Sequence, residues 1–355
     1  MAYTDIDKPS DYFDTLIYSG NASNPRTLSG LDFQPNWTWL KNRTDNNGHT
    51  LADSVRGANK TLDSSGTGAE ITDKNDGHLD AFTSDGFTVG AGSSGDARVN
   101  DGSHTYVAWN WKAGTSFTND ASGTGIGSID SAGSVSTTAG FSIVSYTGSG
   151  SSATIAHALG SKPDIIFTKQ RDDNSAAWGG YVSALGATKD IGLSTTGAAD
   201  ADTSYWGDTE PTSTVFTVSS NARSNASGEA YIAYCFTNIK GYSKIGSYTG
   251  NGNADGTFVY TGFKVAFLMI KNTSTGSTKW TMCDNKRDGF NDNNHRLFAE
   301  EASVESTSNP WEMYSNGFKM TSTGSFVNVS GSNYIYMAFA ENPFTTSTGV
   351  PATAR

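Results

Sequence analysis

Along this chain the apolar residues recur mainly at every second position, the period of a strand, and hardly anywhere at the 3.6-residue period of a helix. In WTWLK, Trp37, Trp39 and Lys41 fall on one side of an extended chain, and Thr38 and Leu40 on the other. In YVAW, Tyr106 and Ala108 alternate with Val107 and Trp109. Both patterns place bulky groups on both faces, as in central strands with one face on their own core and the other on a neighbouring unit or under loops. Between such runs stand Asp85-Gly86, Asp101-Gly102 and Asn316-Gly317, read as tight turns in which glycine supplies a positive φ. The segments Leu51 to Thr61 and Phe298 to Val304 are the best candidates for a helical turn or two, and no stretch sustains more.

The strand motifs repeat. LIYSGN, VSYTGS and GSYTGN carry Tyr18, Tyr146 and Tyr248, spaced 128 and 102 residues apart. WTWLKNR, IIFTKQR and FLMIKN carry Lys41, Lys169 and Lys271 at the same spacings. DGFTV, TVFTV and NGFKM carry Phe87, Phe216 and Phe318, at 129 and 102; YVAW, YIAYCF and YMAFA begin at Tyr106, Tyr231 and Tyr336, at 125 and 105. Four motifs in one order at nearly constant offsets define three copies of one unit of roughly 100 residues, the size of a two-sheet sandwich.

The expected fold is therefore all-β, with three tandem diverged β-sandwich units of jelly-roll or concanavalin-like form. Residues 1–13 read as an N-terminal arm, 14–112 as the first unit, 139–238 as the second, 239–341 as the third, and 342–355 as a C-terminal tail. Residues 113–138, rich in glycine and serine, account for the longer first offset and read as a linker or extended arm without regular sheet. The second and third units, joined only by Asn238 to Tyr242, are expected to pack as a rigid pair.

Composition narrows the partners. The 35 acidic residues outnumber the 24 basic ones, for a formal charge of −11, so the overall field repels nucleic acid and anionic lipid. The longest apolar run, Val265 to Ile270, is six residues, against the roughly 20 that span a bilayer, and the N-terminus lacks the pattern of a signal peptide. Cys235 and Cys283 occupy non-corresponding places in their repeats and read as small core thiols rather than a disulfide.

No catalytic constellation emerges. His49, His78, His104, His157 and His295 are scattered singly, without metal-ligand spacing, and read as solvated loop residues. GTGIG at Gly123 to Gly127 lies in the linker, without the strand and helix that a phosphate site needs. Two acidic clusters, Asp200, Asp202, Asp208 and Glu210, and Asp284, Asp288 and Asp292 with Asn285, Asn291 and Asn293, lack the ligand order of a calcium loop and read as solvated acidic loops. Neither a cofactor nor a metal is expected. The candidate binding residues are aromatic: Trp206 and Trp311, with Tyr205 and Tyr314 beside them, lie in polar loops between repeated strands, where flat rings could stack on sugar.

The opening MAYTDIDKPSDYFDTLIYSGN, the internal WTWLKNR, DGFTV and YVAWNWKAG, and the closing AENPFTTSTGVPATAR resemble a family of virion proteins of marine tailed bacteriophages, described as tail-fibre-like or concanavalin-like. The resemblance spans nearly the whole chain. It implies a non-enzymatic β-sandwich protein, made in the host cytoplasm and exposed on the virion surface. Such a protein would belong to the tail or its fibres, binding other virion proteins and host-surface glycan. A capsid decoration protein and a virion polysaccharide depolymerase are the alternatives. No heptad run or shaft repeat is present, which argues for a compact body over a slender fibre. A homo-oligomer, a trimer above all, is expected from the avidity that symmetric appendages gain.

Overall fold

A computed structural model describes residues 3–93, 98–288, 295–308 and 310–352. Among the described residues, regular helix is confined to three four-residue turns and one 3-10 turn, and the rest of the regular structure is antiparallel strand. Three large sheets share one arrangement of four strands. In the first unit the order is Phe13–Ser19, Thr105–Trp111, Trp37–Asn42, Thr50–Asp53. In the second it is Phe141–Thr147, Ala230–Phe236, Ile165–Gln170, Gly179–Val182, and in the third Ser243–Thr249, Asn333–Pro343, Phe263–Asn272, Thr281–Asp284. Each large sheet faces a smaller one built around the strand that carries Phe87, Phe216 or Phe318.

The double-faced strand patterns now have their explanation. Tyr106 and Ala108, Tyr231 and Ala233, and Tyr334 and Ala338 turn towards the small sheet of their own unit, giving three local cores. Their neighbours, among them Trp37, Trp109, Phe167, Tyr234, Phe267 and Met337, turn the other way into one core common to all three units. At its centre Trp111, Phe236 and Phe339, each five residues beyond the tyrosine that opens its strand, meet pairwise with ring centroids 6.2, 5.8 and 5.6 Å apart. The three units thus close around a local threefold axis. The first unit is as firmly packed as the other two, so the expected rigid pair is a rigid trio.

Backbone carbonyls tie the ring in a fixed cyclic order. The fully buried Lys41, Lys169 and Lys271 each donate to a carbonyl of the next unit: to Ala302 at 3.0 Å, Thr67 at 3.1 Å and Thr196 at 3.4 Å. Burial pulls each ammonium pKa down to about 8 against the opposing pull of nearby carboxylates, Asp63, Asp173 and Glu300 in turn, and each ammonium also donates to the carbonyl of the following residue. Three ring N–H groups repeat the pattern: His49 Nε2 meets the carbonyl of Phe298 at 3.0 Å, Trp178 Nε1 donates to Asp63 at 2.9 Å, and Trp280 Nε1 donates to Gly192 at 3.0 Å. A lysine inside a core is tolerated only when its donors are used.

Each unit is also clasped by tyrosine and asparagine. Tyr18, Tyr146 and Tyr248 stack on Tyr106, Tyr231 and Tyr334 at 5.0–5.2 Å, and donate at 2.6 Å to the carbonyls of Val99, Ser224 and Val327. The following residues, Asn100, Asn225 and Asn328, are buried and stitch the loop after the first strand, accepting from the amides of Asn21, Ser149 and Asn251 and donating to the carbonyls of Ser23, Ser151 and Asn253. This corrects the third member of one series. Tyr334, not Tyr336, pairs with Tyr248, and its hydroxyl accepts the amide of the residue five before it, as those of Tyr106 and Tyr231 do.

Three further expectations change. Residues 113–138 are not a structureless linker: Thr115–Asn119 and Ser131–Ser136 pair with one another, and the second strand pairs with Phe141–Thr147, extending the second unit's sheet at its edge. Small residues suit this edge, because a Cβ on Gly133 would stand 1.9 Å from the carbonyl oxygen of Ile143. Leu51 to Thr61 is a strand pair rather than a helical turn, and Phe298 ends a strand. Gly86 and Gly317 have no positive φ; they are needed for room, since a Cβ would lie 1.9 and 2.1 Å from the carbonyl oxygens of Leu28 and Val259. The N-terminal arm and C-terminal tail are held as well. Asp5 and Thr4 bond the carbonyl of Lys240, and Asp7 accepts from the backbone and hydroxyl of Ser347.

Because one core serves all three units, thermal unfolding should give a single calorimetric transition, with calorimetric and van't Hoff enthalpies in agreement. Trp111→Ala should lower its stability by about 3–5 kcal/mol. Two or three resolved transitions in the unaltered protein would contradict a common core.

Candidate functional site

The predicted ring platforms are the first positions to place. Trp206 and Trp311 are buried, at 1% and 0% exposure, and Tyr205 is buried at 6%. The first tryptophan packs edge-on to Tyr181 inside the second unit's core, and Trp311 lies in the third unit's core with Phe318 and Met320. Tyr205 lies under Arg223, 5.4 Å from its guanidinium. Tyr314 is half-buried, donates to Glu312 at 2.6 Å and meets Phe258 edge-on. The two pairs belong to different units and no ring contact joins them among the described residues. The expectation of exposed stacking rings in loops is therefore corrected: Tyr205 and Trp206 form a helical turn folded onto their own unit's core, and Trp311 and Tyr314 are the two ends of a strand of the third unit's small sheet, with Trp311 turned inward.

The histidines also depart from expectation. His49, His78 and His157 are buried rather than solvated. Burial drives the imidazole of His49 down to about 3 and that of His157 to about 4, so both are neutral structural groups. Both thiols are free and buried, as a core role requires. In the first acidic cluster, Asp202 caps a helical turn, and Glu210 accepts from Lys162, Tyr181 and the amide of Ala187. Of the second, Asn291, Asp292 and Asn293 lie outside the described residues. Among the described residues no group of three or more His, Cys, Asp or Glu side chains is placed to hold a metal ion.

What distinguishes one region of the molecule is a broken symmetry between units. Where the first unit meets the second, Asp53 bonds Arg56 at 2.5 Å, Arg56 reaches Glu70 at 3.2 Å, and Glu70 receives Arg171 at 2.9 Å. Tyr234 closes the chain by donating to Asp53 at 2.7 Å. Where the third meets the first, the same five positions are Asp284, Arg287, Glu305, Arg43 and Trp109, linked at 2.6, 2.7, 2.8 and 3.0 Å. Burial would raise the carboxyl groups of Glu70 and Glu305, yet their arginines hold both below the ordinary value.

Where the second unit meets the third, the matching residues are Val182, Leu185, Ala199, Thr273 and Met337. The equivalence is geometric: the amides of Glu70, Glu305 and Ala199 donate to the carbonyls of Arg171, Arg43 and Thr273 in turn. All four charged groups and the aromatic donor are gone; Val182 and Met337 fill two of the places within the common core, and outside them the seam is open. A cavity of ≈ 730 Å³ lies there, lined by Leu185 and Ala199, by Thr273 and Asn333, and by the exposed Lys189 and Ser247 among others. Leu185 and Ala199 also pack on the common core, forming its floor. No acidic side chain lines it, in a chain of net charge −11. Its volume falls within the roughly 300–1,000 Å³ of ordinary ligand clefts.

Sequence reasoning missed this groove, although a signal was present: the series ending in Arg43 and Arg171 ends in Asn272-Thr273 in the third copy. Carrying the repeat offsets through each unit, from TLADSVR to GYVSALG and MCDNKRD, exposes the other substitutions.

A family model described as a domain of unknown function, DUF7483, matches residues 8–343, and the chain belongs to that family. No curated protein matches it.

Two measurements test this account of the interfaces. Arg56→Met strands the buried Asp53 and should cost about 3–5 kcal/mol in urea unfolding, whereas Leu185→Met at the matching position should cost less than about 1.5 kcal/mol. Equal losses would remove the distinction between the interfaces. The second concerns Glu300, which is buried beside the groove's interface and accepts the amide of Trp280 at 3.1 Å. Burial pushes its carboxyl group up to about 7, against 4.5 when unfolded. The folded state therefore holds a proton that the unfolded chain releases. Its contribution is complete below about pH 4.5 and is lost as pH rises through 7. Glu300→Gln should flatten the fall in melting temperature across that window, and parallel profiles would refute the assignment.

Proposed function

We propose that the protein is a non-enzymatic surface component of a tailed-phage virion, on the tail or its fibres, contributing to assembly and to contact with host-surface glycan. The observation that carries this reading is the closed ring of three like units in one chain. A rigid body with three repeated loop clasps around an apolar axis suits a particle appendage, which must hold its shape while offering several faces to partners. The resemblance of the terminal and strand motifs to those of marine phage virion proteins favours the same reading, as does the net negative charge, which discourages adhesion to nucleic acid. Further copies of this chain are then expected around it, a trimer being the simplest arrangement for a tail. Conserved geometry within each unit serves packing, and variation between the units is where partner recognition resides.

Immunogold electron microscopy and mass spectrometry of purified particles that encode the chain test the proposal directly. Label on the tail or fibres is the expected result. Label spread over the head lattice would replace it with a decoration role. Absence from the particles would overturn it, and release of new reducing ends from purified host polysaccharide would overturn the non-enzymatic part.

A further inference from the structure

At the groove between the second and third units the threefold pattern of the interfaces fails, and its failure is concerted. A random loss of one partner from the Asp–Arg–Glu–Arg chain would leave a buried charge uncompensated, at a cost of several kcal/mol. Instead, all four charges and the aromatic donor are absent together, replaced by Val182, Leu185, Ala199, Thr273 and Met337. The interface stays intact below, through Lys271 to Thr196, Trp280 to Gly192 and the Ala199 amide to Thr273. Val182 and Met337 close the inner part of the seam within the common core, and beyond them stands an open space of ≈ 730 Å³.

We propose that this groove binds an anionic saccharide, a chain segment bearing a uronic or other carboxylated sugar, at one site per protein chain. The ligand class follows from the lining. Thr249 and Thr273 donate their hydroxyls to Asn333, which fixes its amide in the lining, and the Asn333 side-chain N–H groups with the hydroxyls of Ser247 and Ser274 are left to match a polyhydroxylated ligand. The apolar floor of Leu185 and Ala199 offers a patch for the C–H face of a sugar ring. Lys189 stands exposed at the rim and has no ion-pair partner among the described residues, whereas the neighbouring Asp190 is occupied by Arg223 at 2.7 Å. With no carboxylate lining the groove, Lys189 is its one fixed charge, and it favours a ligand that brings a carboxylate. Beside the first–second seam, Arg171 and Ala230, the counterparts of Thr273 and Asn333, border a smaller space of ≈ 390 Å³, but Asp120 and Asp130 also line it and oppose an anionic ligand, so one ligand per chain is expected.

This inference rests on the surface-contact reading for its class of ligand, and its test is kept separate from particle location. Calorimetric titration of the purified full chain with trigalacturonate, and with maltotriose as the neutral probe, should give saturable binding of the acidic sugar at one per chain. Lys189→Gln should weaken trigalacturonate about tenfold, the loss of one charge-assisted contact, and leave maltotriose unchanged. A199E/T273R restores the outer Glu–Arg pair of the other two interfaces and should abolish binding with the melting transition retained. Ala184→Trp, which fills the groove from its exposed rim, serves as an independent block should that pair fail to fold. Binding that survives both fillings, a stoichiometry of three, or no trigalacturonate binding at millimolar concentration would overturn the proposal. A chain that is absent from particles yet binds in the groove as described would instead overturn the virion reading and leave the site standing.

Discussion

Everything in this molecule depends on the meeting of Trp111, Phe236 and Phe339 at one axis. For three sheets to share a core, each must be apolar on both faces, one for its own small sheet and one for the common centre. That requirement sets the strand sequences, so Tyr106, Tyr231 and Tyr334 look outward to local cores while the residues beside them look inward. It also sets cooperativity. A single unit removed from the ring would expose its large sheet's inner face, including several of the largest fully buried side chains, each worth roughly 1.5–3 kcal/mol of burial.

Hydrophobic contact alone does not say which unit stands next to which. The directional groups do: buried lysines and ring N–H donors each reach a carbonyl of one particular neighbour, and only the cyclic order found here satisfies all of them. The two ion-pair chains add specificity at two of the three seams. A buried ion pair contributes little net stability relative to a well-packed apolar replacement, so its loss at the third seam is thermodynamically permissible when complete. The third seam is thereby released from the demands of packing, and a structural interface becomes a groove.

The sequence made much of this legible. Period-two alternation identified strands, and bulky groups on both faces anticipated a second packing surface. Repeat offsets identified three units to within two residues, failing at Tyr336 because YIYMAFA offers two tyrosines in the same phase. The edge strands Thr115–Asn119 and Ser131–Ser136 were hidden because glycine and serine are poor strand formers, and here the neighbouring sheet supplies the order. Asn100, Asn225 and Asn328 look like loop residues and carry no local signal of their bonds to segments more than 70 positions away. Trp206 and Trp311 misled for the converse reason: polar neighbours do not say where the one large ring is buried, and in these two segments they surround a helical turn and a short strand whose tryptophans point inward.

Site-resolved hydrogen exchange measures the central claim most directly, because it reads all three seams in one molecule. A common core with one relaxed seam predicts that amides of Thr105–Trp111, Ala230–Phe236 and the inner part of Asn333–Pro343 exchange together, at the slow rate set by global unfolding. The amide of Ala199 should exchange faster than those of Glu70 and Glu305, which make the same bond beneath intact ion pairs. Three sets of core amides exchanging at three separate rates, or an Ala199 amide as protected as its two counterparts, would contradict the account.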